Sequence, residues 1–180
     1  MRLALTFLAG LLFLAVDASA LPGLPNAADQ TDAPSPADLL GFELGDRHPQ
    51  PHELNAFYRR LAADSPRVQV ESIGRSHGGR EQLLLYFASP DRVDQIDEIR
   101  AARVSDSRKG SGSPVVWLGY SVHGNEASGA SAAAVVAWYL AYSEDGRVAR
   151  WLDELVIVME PVINPDGLAR FAHWVNMHRG

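Results

Sequence analysis

The sequence predicts an α/β fold. From Val68 onward, segments suited to strands alternate with segments suited to helices, which is the order of elements found in α/β proteins. Residues 114–120 (PVVWLGY) are almost all apolar, as is typical of a strand covered on both faces. Ala127–Tyr142 is apolar nearly all round and rich in alanine, which indicates a buried helix that packs closely on a sheet.

The first elements of this fold follow from the spacing of apolar residues. A helix is predicted because four of them fall at i, i+3, i+4 and i+7, namely Leu54, Phe57, Tyr58 and Leu61. Residues 68–74 alternate like a strand, and residues 81–89 form a second one. The turn signal Gly78-Gly79 lies between them, so the two strands are expected to form an antiparallel hairpin.

The remaining elements are less regular. A second amphipathic helix is marked by Val93, Ile96 and Ile99. Residues 109–113 (KGSGS) form a polar turn before the buried strand. Residues 155–162 are a further apolar run, interrupted at Glu160 and Pro161.

The first twenty residues have the pattern of a secretory signal peptide. Arg2 is followed by an apolar run over residues 3–16 and by the small-residue site Ala18-Ser19-Ala20. The run is short for a membrane span, although an uncleaved anchor remains an alternative. The expected location is therefore secreted or periplasmic, with no stable membrane insertion after cleavage. Residues 21–40 are expected to be a flexible lead-in or short propeptide, with the domain proper over residues 41–180.

Composition excludes little else. The 180 residues carry a formal net charge of −6, and no block of Lys and Arg suggests a nucleic-acid partner. The chain has no cysteine, so an exported product could form no disulfide, and its fold must depend on its core or on a metal. Oligomeric state is left open.

A candidate metal site lies at the end of the buried strand. His123 follows the strand directly, and Glu126 lies at the start of the next helix. Ligand sites in open α/β sheets form at the carboxyl ends of strands, and imidazole nitrogen and carboxylate oxygen are both zinc ligands. Gly124 permits a tight turn between them. The alternative is an exposed loop histidine beside a carboxylate that the helix dipole favours.

Two later features are weaker when each is taken alone. Residues 164–167 (Asn-Pro-Asp-Gly) follow the last apolar run and have the composition of a turn. Arg179, near the end of the chain, could stabilise an oxyanion beside a metal, or it could be a solvated surface arginine.

Taken in order, these features resemble the zinc carboxypeptidase family, the relatives of carboxypeptidases A and B. The resemblance covers residues 41–180 and includes residues 73–80, which are similar to the family's early hairpin. It implies a mixed, mostly parallel sheet flanked by helices and incomplete at the C-terminus. It also implies that His123 and Glu126 are two zinc ligands and that Arg179 polarises the scissile carbonyl. Residues 164–167 would form a loop that shapes the site, and His173 and His178 would be ordinary loop residues.

The function implied by this resemblance is hydrolysis of C-terminal peptide bonds by zinc-activated water, with peptide or protein C-termini as substrates. The family's third zinc ligand and general base are expected after Gly180, so the chain is expected to be a fragment or a truncated product. Two alternatives stay open. One is a related zinc deacylase of the aspartoacylase or succinylglutamate desuccinylase type, and the other is an inactive fragment or binding module.

Overall fold

The computed structural model describes residues 33–106 and 112–178, in which four strands form one mixed sheet in the order β1-β2-β4-β3. The strands are β1 Val68–Arg75, β2 Glu81–Phe87, β3 Val115–Gly119 and β4 Val156–Glu160. β2 pairs antiparallel with both β1 and β4, whereas β3 runs parallel to β4. All four predicted strands are therefore present, and the predicted hairpin is confirmed.

The direction of each pair follows from its connection. A short turn joins β1 to β2, which permits only an antiparallel pair, whereas β3 and β4 are separated by a helical crossover and can run parallel. The sheet is mixed and flanked by helices, as predicted. Among the described strands, however, antiparallel pairs outnumber the one parallel pair, so the expected parallel majority is not seen in this part of the sheet.

The helices of the described residues are α1 Pro36–Leu40, α2 Pro51–Asp64, α3 Pro90–Val93, α4 Ile96–Asp106, α5 Ala127–Tyr142, α6 Gly146–Glu154 and α7 Pro165–Met177. α2 and α5 confirm two predicted helices. The helix predicted around Val93, Ile96 and Ile99 is divided between α3 and α4 by a turn at Asp94 and Gln95. α6 was not predicted, although Asp145 caps its first turn by accepting from the Arg147 backbone N–H at 2.8 Å.

The main core lies on one face of the sheet. Fully buried alanines along α5 let it pack closely against α2 and α7, and the same cluster contains Leu83, Leu85 and Phe87 of β2. Removal of this apolar surface from water is the main stabilising contribution of the fold. The buried helix predicted here is confirmed by nine buried residues along α5, although Ser128 and Ala132 are exposed.

The other face of the sheet is only partly covered. Tyr86, Val156 and Val158 pack against Val93 and Ile96 of α3 and α4. β3 is an edge strand of the described sheet, and its residue Trp117 is 55% exposed. The prediction that this strand is covered on both faces is therefore wrong for the described residues, because an open apolar cleft lies between α4 and β3.

The structure also alters the predicted domain boundary. α1 occupies residues that were assigned to the flexible lead-in, and a capping box between Ser35 and Asp38 defines its start. The Trp138 indole N–H donates to the Pro34 carbonyl at 2.7 Å, which fastens this segment to α5. Ordered contacts thus begin before Gly41. The predicted signal peptide and the first part of the lead-in, residues 21–32, lie outside the described residues.

Candidate metal centre

The loops that follow β3 and β4 lie side by side because the pairing of these strands continues beyond their ends. The Tyr120 N–H donates to the Glu160 carbonyl at 3.0 Å, and the Ile163 N–H donates back to the Tyr120 carbonyl at 3.0 Å. One residue further, the Asn164 N–H donates to the Ser121 carbonyl at 3.1 Å. Residues 121–126 and 163–167 are thereby brought together at one edge of the sheet.

His123 and Glu126 converge within the first of these loops. The His123 Nδ1 atom lies 3.1 Å from Glu126 Oε1, and the His123 backbone N–H donates to Glu126 Oε2 at 3.3 Å. The turn is closed by the Glu126 N–H, which donates to the His123 carbonyl at 3.0 Å. The two side chains are 72% and 57% exposed, so both are accessible to an incoming ion.

The carboxyl group of this pair is held in its ionised form. Hydrogen bonds from the His123 side chain and then from its backbone lower the pKa of Glu126, because they stabilise the carboxylate and not the acid. Metal ligands must be deprotonated, so the environment of Glu126 favours the state that would bind a cation.

Ser121 begins this loop in an unusual backbone conformation. Its φ of 53° is the only positive φ at a non-glycine residue in the described ranges, a region that costs about 1–2 kcal/mol for a residue with a β-carbon. The side chain is buried, and its hydroxyl has no hydrogen-bond partner among the described residues. The strain is tolerated where the chain must turn sharply from β3 toward His123.

A contact between two glycines fixes the distance between the two loops. A β-carbon placed on Gly124 would lie 2.5 Å from the Gly167 carbonyl oxygen and closer still to the Gly167 Cα and carbonyl carbon. A β-carbon on Gly167 would in turn lie 2.9 Å from the Gly124 Cα. Each loop therefore approaches the other at a point where only a glycine fits.

The second loop leads directly into α7, so most of residues 164–167, for which a turn or loop was expected, belong to a helix. The Asn164 side chain accepts from the Gly167 N–H at 2.9 Å and Pro165 occupies the first turn, so this motif is the start of a helix. In the sequence, the helix start is indicated by the capping Asn164 and by Pro165 together with the apolar residues that follow, such as Leu168.

Asp166 fastens the start of α7 to the turn between β1 and β2. Its carboxylate accepts from the Ser76 hydroxyl, the Gly78 N–H and the Arg80 guanidinium, each at 2.8 Å. Hydrogen bonds from Ser76, then Gly78 and Arg80, lower the pKa of Asp166. The hairpin, α7 and the loop of His123 thus form one connected unit.

The other residues considered from the sequence have structural roles or lie elsewhere. His173 is on α7 and His178 caps its C-terminal end, so the expectation that both are loop residues is wrong. Asn176 exchanges two hydrogen bonds with the His48 backbone, which anchors α7 to the segment before α2. Arg179 lies outside the described residues, and its predicted role stays a prediction.

Within residues 33–106 and 112–178, no group of three or more His, Asp or Glu side chains is placed to hold a metal ion. The candidate donors among the described residues are therefore the two that the sequence predicted, His123 and Glu126. Glu160 lies at the carboxyl end of β4, opposite Gly119 of β3. In the sequence it appeared only as an interruption of an apolar run. Burial raises the pKa of Glu160.

Comparison with known proteins identifies the family. The profile described as zinc carboxypeptidase matches residues 54–179, which include both donors, the capped start of α7 and the hairpin. The chain belongs to the zinc carboxypeptidase family. The predicted resemblance is thus confirmed at the level of family and fold.

Solved structures share this fold. Carboxypeptidase A from Helicoverpa armigera superposes with a TM-score of 0.54 at 20% identity, over 83% of this chain and 30% of that one. Thrombin activatable fibrinolysis inhibitor superposes with a TM-score of 0.52 at 15% identity, over 79% of this chain and 31% of that one. The chain thus spans about a third of the length of each of these two proteins. A search of curated protein sequences gave no match.

Among residues 33–106 and 112–178, no helix has both the length and the apolar character needed to cross a membrane.

Proposed function

We propose that this zinc carboxypeptidase family member supplies part of the zinc site of a metallocarboxypeptidase that removes residues from peptide C-termini. The observation that carries the proposal is the convergence of His123 and Glu126 at the carboxyl end of β3. Their loop is held against the start of α7 by the contact between Gly124 and Gly167. Family membership supports a peptidase over the deacylase and over a binding module.

The donors present fit zinc in kind. One imidazole nitrogen and one carboxylate oxygen belong to the ligand types that catalytic zinc sites use, and such sites take three protein ligands and leave one position open. His123 and Glu126 would supply two of the three. When bound, zinc supplies Lewis-acid chemistry that activates water and polarises a carbonyl.

The remaining residues position this pair. Ser121 and Gly124 give the loop its shape, and the Asp166 network holds α7 against the hairpin so that the loop of His123 has a firm neighbour. On the resemblance alone, Arg179 would donate hydrogen bonds to the developing oxyanion. The apolar run of residues 3–16 supports a secreted or periplasmic location.

Zinc affinity tests the ligand assignment directly. A competitive titration against a chromophoric chelator should show weak zinc binding by the 180-residue chain, because two ligands leave much of the coordination to water. His123→Ala or Glu126→Gln should each weaken binding by at least about tenfold, since even outer partners of metal ligands contribute about 10–100-fold.

Matched controls separate these ligands from other donors. His173→Ala removes an exposed histidine of α7, and Glu144→Gln removes an exposed carboxylate that follows α5. Neither variant should change zinc affinity. Equal affinities for wild type, His123→Ala and Glu126→Gln would refute the assignment. Release of a C-terminal amino acid from a free peptide, but not from its C-terminally amidated form, would establish the peptidase activity.

A further inference from the structure

A cleft lies beside the start of α7, and neither His123 nor Glu126 lines it. It is bounded by the first half of α2, by the β1–β2 turn and by the exposed side of α7. Two adjoining pockets of about 530 Å³ each share Gln50, Arg80 and Ala169. Together they form an elongated cleft, which we call the arginine cleft.

The charge of the arginine cleft is opposite to that of the chain. The chain has a formal net charge of −6, yet four arginines and only two carboxylates line this cleft, namely Arg59, Arg75, Arg80, Arg170, Glu81 and Asp166. With histidines neutral, the lining is net positive by two charges. Three histidines, His52, His77 and His173, add imidazole groups to the same walls.

Both carboxylates are already committed to two of the arginines. Arg59 donates to Glu81 at 2.7 Å and Arg80 donates to Asp166 at 2.8 Å. Hydrogen bonds from Arg59 and Ser72 lower the pKa of Glu81, so this carboxylate stays ionised and its pair with Arg59 persists. Each of these pairs is close to neutral as a unit.

The remaining two arginines form no ion pair within the described ranges, although Arg75 lies near enough to Glu81 to interact with its charge through space. Arg75 donates only to the Gly79 carbonyl, at 2.8 Å, and Arg170 has no hydrogen bond or ion pair within the described ranges. Arg75 lines the first pocket and Arg170 the second. The cleft therefore presents two guanidinium groups that have no ion-pair partner among the described residues, one in each half, separated by the neutral Arg80–Asp166 pair.

We propose that the arginine cleft binds an extended acidic peptide segment. Guanidinium groups are suited to paired hydrogen bonding with carboxylates. Cations in two adjoining pockets fit a chain with two spaced acidic side chains better than a single small anion, which would fill only one pocket. The proposal does not depend on zinc or on the proposed peptidase function.

Fluorescence anisotropy with a labelled peptide rich in Asp and Glu tests this proposal on the 180-residue chain. Binding should saturate for that peptide but not for its Asn and Gln counterpart. Raising the ionic strength from 0.01 M to 0.15 M should weaken it, because the screening length falls from about 30 Å to about 8 Å. Arg75→Gln and Arg170→Gln should each weaken binding about two- to fivefold, as for exposed ion pairs, and the double variant about tenfold.

Arg150→Gln is the matched control, because Arg150 is also an exposed helix arginine but lies on α6, outside the cleft. It should bind like wild type, and circular dichroism confirms that each variant is folded. In wild type, bound acidic peptide should protect Arg75 and Arg170, but not Arg150, from modification by phenylglyoxal. The proposal would be overturned if Arg150→Gln lost as much peptide affinity as the cleft variants, or if all three arginines were equally protected. It would also be overturned if inorganic phosphate competed as strongly as the peptide.

Discussion

Substitution of Gly124 by alanine tests whether the candidate site depends on the contact between its two loops. The new methyl group would meet the Gly167 backbone, with the carbonyl oxygen at 2.5 Å and two further backbone atoms nearer still. A backbone segment cannot relieve the clash by changing rotamer, as a flexible side chain can, so one of the two segments must shift. Overpacking of this kind costs about 1–3 kcal/mol, and we expect the free energy of unfolding to fall by at least that amount.

Gly129→Ala is a control with the opposite expected sign. Its methyl group would meet only the Ser121 backbone nitrogen, at 3.5 Å, which is ordinary contact. Gly129 lies within α5, where alanine is favoured over glycine by about 0.5–1 kcal/mol. This variant should therefore be as stable as wild type or more stable.

Urea unfolding followed by tryptophan fluorescence gives both free energies, and thermal melts provide a second measure, at about 2–4 °C per kcal/mol for a chain of this size. Zinc titration of the same proteins shows whether the loop shift also displaces His123 and Glu126. A Gly124→Ala variant with wild-type stability and zinc affinity would show that the two loops are not in contact, and would remove the structural basis of the site. A strong destabilisation by Gly129→Ala would contradict the ordinary contact expected between its methyl group and the Ser121 backbone nitrogen.

Three further outcomes are expected. Ser121→Gly should raise the free energy of unfolding by up to about 1 kcal/mol, because relief of positive φ outweighs the added freedom of the unfolded chain, and urea unfolding would contradict this if the variant were less stable. Burial, followed by the hydrogen bond to Glu71, raises the pKa of Tyr86 to about 12, so its phenolate absorbance should emerge near that pH. Because the unfolded chain ionises this tyrosine near pH 10, the free energy of unfolding should fall as pH rises from about 10 toward 12. The apolar cleft of about 510 Å³ beside β3 should bind a hydrophobic dye, and Trp117→Gln should reduce the dye fluorescence. Trp151→Gln changes an exposed tryptophan of α6 and should leave the fluorescence unchanged.

The regular elements could be predicted because their patterns are local. The spacing of Leu54, Phe57, Tyr58 and Leu61 reports one buried helix face, and all four are buried as expected. α5 has no such periodicity, but its run of alanines and other apolar residues can be satisfied only by burial on most sides. In both cases the signal depends on neighbours in sequence.

The errors occur where a local signal was read without its context. The Ser35 to Asp38 capping box is a helix start, yet the proline-rich composition around it favoured a flexible lead-in. The Asn-Pro-Asp-Gly motif favours a turn by composition, but Asn164 and Pro165 are an N-terminal cap and first helical residue when apolar residues such as Leu168 follow. The exposed face of β3 could not be predicted, because an apolar strand does not show whether a helix reaches it.

The candidate site required both kinds of information. Spacing alone placed His123 and Glu126 at a strand end, but it could not show that Gly124 and Gly167, 43 positions apart in the sequence, meet backbone to backbone. The family resemblance supplied the order of the motifs without their contacts. The structure supplies the reason for the order, since β3 and β4 are parallel neighbours and their carboxyl ends must lie at the same edge of the sheet.

The same geometry explains why residues that do not bind metal are part of the site. The His123 and Glu126 side chains are exposed, whereas Ser121 and Gly124 of the same loop are buried, so the position of the loop depends on what these two residues contact. Gly167 provides the contact for Gly124, and it is the third residue of a helix whose Asp166 is bonded to the hairpin turn at three points. A rigid donor pair loses less conformational freedom when an ion binds than a mobile pair would. On the proposed function, the hairpin and α7 would therefore contribute to zinc affinity through the loop they hold in place, although neither would carry a ligand.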